Sequence, residues 1–137
     1  GSKLGLEEVL CTHGPFHLVL LMAGTNDLST RCAEDIFSSL QHLHEVCNLR
    51  GVPSVALAIP HSLATSRAGK HHDRRQTTNA LLAAEAEVCV GMTFVDTEDI
   101  VPWGAGYPRW DDDGLHFAPE GSRALGEGLS PYVALVF

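Results

Sequence analysis

A chain of 137 residues is the length of one domain, read here as residues 1–137, and it is long enough to bury about two-thirds of its unfolded surface. With 9 basic and 17 acidic residues the net charge is −8, which argues against a nucleic-acid partner. Lys70, Arg74 and Arg75, the densest positive group, read as a solvated helix face, and no apolar run approaches the roughly 20 residues of a membrane span.

In chain order, Leu4 to Leu10 carries apolar residues at positions 4, 6, 9 and 10 and predicts a short helix ended by His13-Gly14-Pro15. Residues 16–23 are apolar at nearly every position, which predicts a strand buried on both faces of a parallel sheet. Leu28 to Arg50 places Ile36, Leu40, Leu43 and Cys47 at helical spacing, with Gly51 at the C-cap and Pro53 preventing continuation. Residues 55–59 predict a second buried strand, stopped by Pro60 and followed by a polar loop over 61–69. A helix over 70–88 should turn Leu81, Leu82 and Val88 inward and Arg74-Arg75 outward. Gly91 caps it, and residues 92–95 form a third strand ending at Asp96.

Residues 97–117 read as a long loop holding Trp103, Tyr107 and Trp110, which either line an acyl or sugar pocket or seal the core. Pro119 opens a last helix with Leu125, Leu129, Tyr132, Val133 and Val136 as its inner stripe. Gly126, Gly128 and Pro131 predict a kink or break within it. Strand–helix alternation of this kind implies an α/β fold with a parallel sheet. The four cysteines, Cys11, Cys32, Cys47 and Cys89, contain no CxxC pair and are expected to be free buried thiols.

Two stretches carry chemistry. Gly24-Thr25-Asn26-Asp27 follows the first strand, and in open α/β sheets ligands bind beyond the carboxyl ends of the strands. Asn and Asp there are equally suited to capping the next helix. The second stretch is Asp113-Gly114-Leu115-His116-Phe117-Ala118-Pro119-Glu120-Gly121. An Asp three residues before a His reaches back to one ring nitrogen, fixes the tautomer and leaves the other nitrogen to take a proton. The neighbouring Asp111 and Asp112 read as an acidic turn.

Together, Gly-Thr-Asn-Asp after a strand and Asp-x-x-His before a C-terminal helix resemble the SGNH (GDSL) hydrolase family, over about Leu18 to Leu129. The resemblance implies a three-layer α/β/α, flavodoxin-like fold with three core strands in this chain. It implies an esterase or lipase that works through an acyl-enzyme, a catalytic triad and an oxyanion hole. His116 would be the general base, Asp113 its orienting carboxylate, and Asn26 with Gly24 part of the oxyanion hole or substrate site. The substrate would be a small-molecule ester or acylated sugar, without cofactor or metal. His71-His72-Asp73 and the pair His42/His44 lack the i, i+4 spacing of helical metal ligands and read as surface histidines.

The family's Gly-Asp-Ser nucleophile motif has no counterpart, since no Asp-Ser dipeptide occurs. Ser2 is a poor substitute, because a flexible terminus cannot preorganise a nucleophile. The chain is therefore expected to lack the family's first strand at an incomplete N-terminus. Residues 16–23 would then be an apolar sheet edge open to self-association or to a strand from another polypeptide. Three readings result: an ester hydrolase, a relative that binds esters or acetylated glycans without turnover, and an unrelated flavodoxin-like interaction domain. Whether Asn26 and His116 share one site separates the last from the first two.

Overall fold

A computed structural model describes residues 5–104 and 108–137. The elements are α1 (Leu6–Thr12), β1 (Val19–Leu21), a 3-10 turn (Thr25–Ser29), α2 (Ala33–Leu49), β2 (Ser54–Leu57), α3 (Lys70–Val88), β3 (Met92–Val95), α4 (Thr97–Ile100) and α5 (Pro119–Ala134). The three strands form one parallel sheet in the order β1-β2-β3. This is the α/β architecture expected from the strand–helix alternation.

The layers follow from the period-two alternation of side chains along β2. Ala56 faces a cluster with Leu28, Ile36 and Leu40 from the α2 side, Leu82 from α3, and Ile59. Val55 and Leu57 face the opposite way, packing with Val95 and with Leu129 of α5. Helices thus cover both sides of β2, and each fully buried Ile or Leu contributes about 1.5–3 kcal/mol. The α2 stripe repeats every three or four residues because 3.6 residues make a turn. At its end Gly51, with φ +68°, adopts the left-handed conformation. The Val52 N–H bonds Cys47 O and the Gly51 N–H bonds Asn48 O, both at 3.0 Å. This pair of bonds satisfies carbonyls that the helix leaves open.

Several expectations are corrected. The first strand has three ladder residues and is not buried on both faces. Leu20 is 41 % exposed and Met22 42 %, because β1 is an edge and α5 packs over β2 and β3 instead. α2 begins at Ala33, not Leu28, since residues 25–29 form the separate 3-10 turn. Arg75 is buried rather than solvated, its Nε donating to Ile59 O at 2.9 Å, and Arg74 Nη1 donates to Leu28 O at 2.8 Å. Val88 faces solvent. His44 is not a surface histidine: it is buried, its Nδ1 2.7 Å from Ser54 Oγ, and burial lowers its pKa. Cys47 is buried, Cys89 is half-buried, and Cys11 and Cys32 are exposed; all four are free.

α5 runs unbroken through Pro131. Proline removes the N–H that Glu127 O would accept, and the Ser130 hydroxyl donates to that same carbonyl at 2.9 Å. Two of the sequence readings, Ser2 as a nucleophile and Tyr107 as a pocket wall, lie outside the described residues.

Candidate active site

The site is assembled from three loops beyond the carboxyl ends of the strands. After β1 the chain turns at Gly24, whose φ of +109° disfavours other residues. A Cβ there would stand 2.8 Å from Ile59 Cδ1, so the absence of a side chain also lets the turn sit directly on the core. The 3-10 turn that follows carries Asn26. Its carboxamide has no protein hydrogen-bond partner among the described residues, and α2 starts from Cys32 without a side-chain cap. Asp27 pairs with Arg31 at 3.8 Å. Helix capping by Asn26 or Asp27, the alternative left open by the sequence, is not what these residues do.

After β2 the chain continues as Ala58-Ile59-Pro60, and α3 holds it in place. Asn79 reads both polar groups of Ile59, accepting from its N–H at 2.8 Å and donating to its carbonyl at 3.1 Å. Thr97 Oγ1 donates to Ala58 O at 3.2 Å. These bonds extend the order of the sheet past its last ladder pair, and every buried backbone group there finds a partner. The next loop is organised by Thr65. Its hydroxyl receives the Ser62 N–H at 2.8 Å, and its carbonyl faces His72 Nδ1 at 3.0 Å. His61, 3.2 Å from Thr65 Oγ1, has its pKa lowered by burial and by Arg75.

That loop supports the third. The Leu63 N–H donates to Gly114 O at 2.9 Å. Gly114 has φ +65°, and a Cβ on it would lie 2.3 Å from Leu63 Cγ. The loop's ends are closed by an antiparallel bridge between Trp110 and Phe117 and by the Asp111 N–H on His116 O at 2.9 Å. Within it, Asp113 uses both oxygens. Oδ1 accepts the N–H groups of Leu115 and His116 at 2.9 and 3.0 Å, and Oδ2 lies 2.5 Å from His116 Nδ1.

The electrostatic consequence is mutual. The hydrogen bond to the His116 side chain, then the two backbone N–H groups, hold the Asp113 carboxyl down to about 2. The same Asp113 bond raises the pKa of His116. Nδ1 is committed to the carboxylate, which leaves Nε2 free of it, and His116 lines a cavity of about 220 Å³.

That cavity is lined by Asn26 and Thr25 from the first loop, by Pro60 from the second, and by Leu115, His116 and Phe117 from the third, with Met22 at the sheet edge. The structure therefore brings Asn26 and His116 to one concavity, with Asp113 behind the imidazole. Gly24 stands beside it as the turn that aims Asn26 and is not one of the lining residues. Sequence reasoning missed Met22, Thr25, Pro60, Leu115 and Phe117 as lining groups. Thr25 and Leu115 sit inside the two motifs, and position alone pointed to them. His44 and Ser54, although hydrogen-bonded, lie at the amino end of β2 and outside this cavity.

The fold is shared with solved structures. No protein-family model matches the chain, and a search of curated proteins finds no match. Among solved structures, it is similar to a protein from Streptococcus pneumonia provisionally described as a platelet activating factor, with TM-score 0.71 and 21 % identity, covering 87 % of this chain and 60 % of the other. It is also similar to a protein from Bacteroides fragilis provisionally described as an acylhydrolase, with TM-score 0.73 and 18 % identity, covering 93 % of this chain and 65 % of the other. The chain spans less than two-thirds of the length of either structure.

Proposed function

We propose that the chain supplies the oxyanion donor and the base–carboxylate pair of an ester hydrolase acting by acyl transfer, as the SGNH resemblance implies. One observation carries the reading: Asn26 and His116 line the same cavity, and Asp113 holds the imidazole by Nδ1. Neutral His116 accepts a proton at Nε2 from a hydroxyl nucleophile. The Asn26 carboxamide donates to the oxygen on which negative charge develops, and it stays neutral throughout. The shape is suited to a small ester, because Leu115, Phe117 and Met22 offer apolar walls and the polar groups are few.

Hydrolysis of p-nitrophenyl acetate and reaction with a fluorophosphonate probe test the proposal. With a hydroxyl nucleophile supplied to the site, ester turnover that falls to background in His116→Ala, and by about 10²–10³ in kcat for Asn26→Ala, is the expected result. Turnover unchanged by either substitution ends the assignment. A second reading is favoured by the absence of any Asp-Ser dipeptide in the chain: binding of esters or acetylated glycans at the same cavity without turnover. Ligand binding with no fluorophosphonate labelling selects it.

A further inference from the structure

β3 is the far edge of the sheet: β2 lies on one side of it, and among the described residues no strand lies on the other. We infer that this edge is a docking site for an extended basic segment of a partner protein, which joins the sheet as an antiparallel strand beside Met92–Val95. The surface stands across the sheet from β1, so the inference does not rest on the ester reading.

The backbone already has the required form. Gly91 O and Val95 O turn toward β2, where they accept the N–H groups of Ser54 and Ala58 at 2.8 and 2.9 Å. Successive residues of a strand turn their bonding groups to alternate sides. The N–H and carbonyl of Phe94 therefore face the open edge, without a hydrogen-bond partner among the described residues. An antiparallel strand exchanges both bonds with the one residue that lies opposite Phe94.

Side chains of the added strand alternate between the two faces of the sheet. Phe94 points to the α3 face, where it packs with Leu82 and Met92, and Val95 points to the α5 face, where it packs with Leu129. There is a groove on each face. On the α3 side, about 390 Å³ is bounded by Ala83, Ala86, Met92 and Glu87. On the α5 side, about 310 Å³ is bounded by Ile100, Tyr132, Asp96 and Asp99. Phe94 borders both, so the two grooves flank one edge. Gly128 shapes the second: a Cβ there would lie 2.5 Å from Ile100 Cγ2, and without it α5 settles closely on α4.

Charge selects the occupant. Glu87, Asp96 and Asp99 are carboxylates, and among the described residues no Lys or Arg borders either groove. Two copies pairing here would bring these carboxylates together twice over, in a chain of net charge −8, and facing like charges are destabilising. The same groups draw in a segment that carries Lys or Arg. In an antiparallel strand, the residue opposite Val95 comes one before the residue opposite Phe94. The first lies over the acidic groove and the second over the groove walled by Ala83, Ala86 and Met92. The favoured pattern is therefore Arg or Lys followed by Val or Ile.

The test is fluorescence anisotropy of a labelled peptide, Thr-Arg-Val-Arg-Val-Thr with blocked ends, alongside backbone-amide NMR of the protein. Expected is saturable binding that weakens as salt is added, with the Phe94 amide shifted and slowed in exchange. Methylating the amide nitrogens of both valines should weaken binding about tenfold or more, because the donor to Phe94 O is lost. Asp99→Asn, at an exposed position of α4, should weaken it about two- to fivefold. A peptide with Glu in place of Arg should not bind. Equal binding by the methylated or the Glu peptide, or no binding at millimolar concentration, overturns the inference. So do shifts confined to Val19–Leu21. Protection of the Phe94 amide that grows with protein concentration alone would assign the edge to a second copy and overturn the basic partner.

Discussion

Asp113 does at residue scale what a longer network does elsewhere. With one oxygen it ties down the backbone of its own turn, and with the other it orients His116. Both partners are exposed, the His116 side chain to 70 %, so the pair acts on protonation and direction of the ring rather than on fold stability. The sign is definite. The carboxylate stabilises the imidazolium, so the neutral base appears only at a pH above the ordinary 6.5 of histidine. An NMR titration should place the His116 midpoint above that value, and Asp113→Asn should return it toward 6.5. Any hydrolysis that uses this base rises through the elevated midpoint, and the rise moves to lower pH when Asp113 is replaced. A midpoint unmoved by Asp113→Asn would show that the ring is not held by this carboxylate.

At the scale of elements, loops support one another and the helices support the loops. Gly114 sits under Leu63 with positive φ and no room for a Cβ, and the His116 loop depends on that contact. Gly114→Ala is expected to lose at least ~1–3 kcal/mol in urea denaturation from backbone strain, with overlap adding to it. The contrasting change Gly126→Ala falls on an exposed position of α5 where a Cβ meets nothing within 4 Å. It should stabilise by about 0.5–1 kcal/mol. Asn79→Ala removes the group that reads Ile59 on both sides. Leaving the fully buried Ile59 N–H unpaired should cost about 1–3 kcal/mol. A loss of less than half that, by the same measurement, would mean that the end of β2 is held chiefly by other bonds.

For the molecule as a whole, the sheet has an asymmetry. α5 covers β2 and β3, while Leu20, in register with Val55 on the same face, remains half open beside an edge that is unpaired among the described residues. Phe16 and Met22 extend this apolar border to the rim of the cavity. Unpaired edges with apolar side chains recruit further strands. The chain is therefore expected to self-associate through residues 16–23, with its weight-average mass rising with concentration in sedimentation equilibrium. Leu20→Lys should abolish that rise. A monomer at every concentration in the unsubstituted chain would exclude the edge as a contact between copies.

Much of this molecule was legible in the linear chain. The strand–helix alternation gave the layers, because a run of apolar residues four to eight long between glycine and proline has few folded uses. Residues 92–95 and 70–88 matched their predicted bounds, since glycine and a change of period mark both ends. Asn26, Asp113 and His116 stood out because local spacing fixes which groups an Asp can reach three residues away. Other features had no local signature. Arg75 reads as a surface charge until Ile59 O, sixteen residues distant, is brought against it, and His44 reads as exposed until Ser54 meets it inside. The exposure of Leu20 depends on which neighbours α5 covers, and the joining of Asn26 to His116 depends on the loops after β1 and β2 and the loop before α5 meeting at one rim. Local periodicity is written in the chain because backbone geometry repeats every two or 3.6 residues. Burial, partnership and the meeting of distant loops belong to packing, which brings together residues with no fixed spacing in sequence.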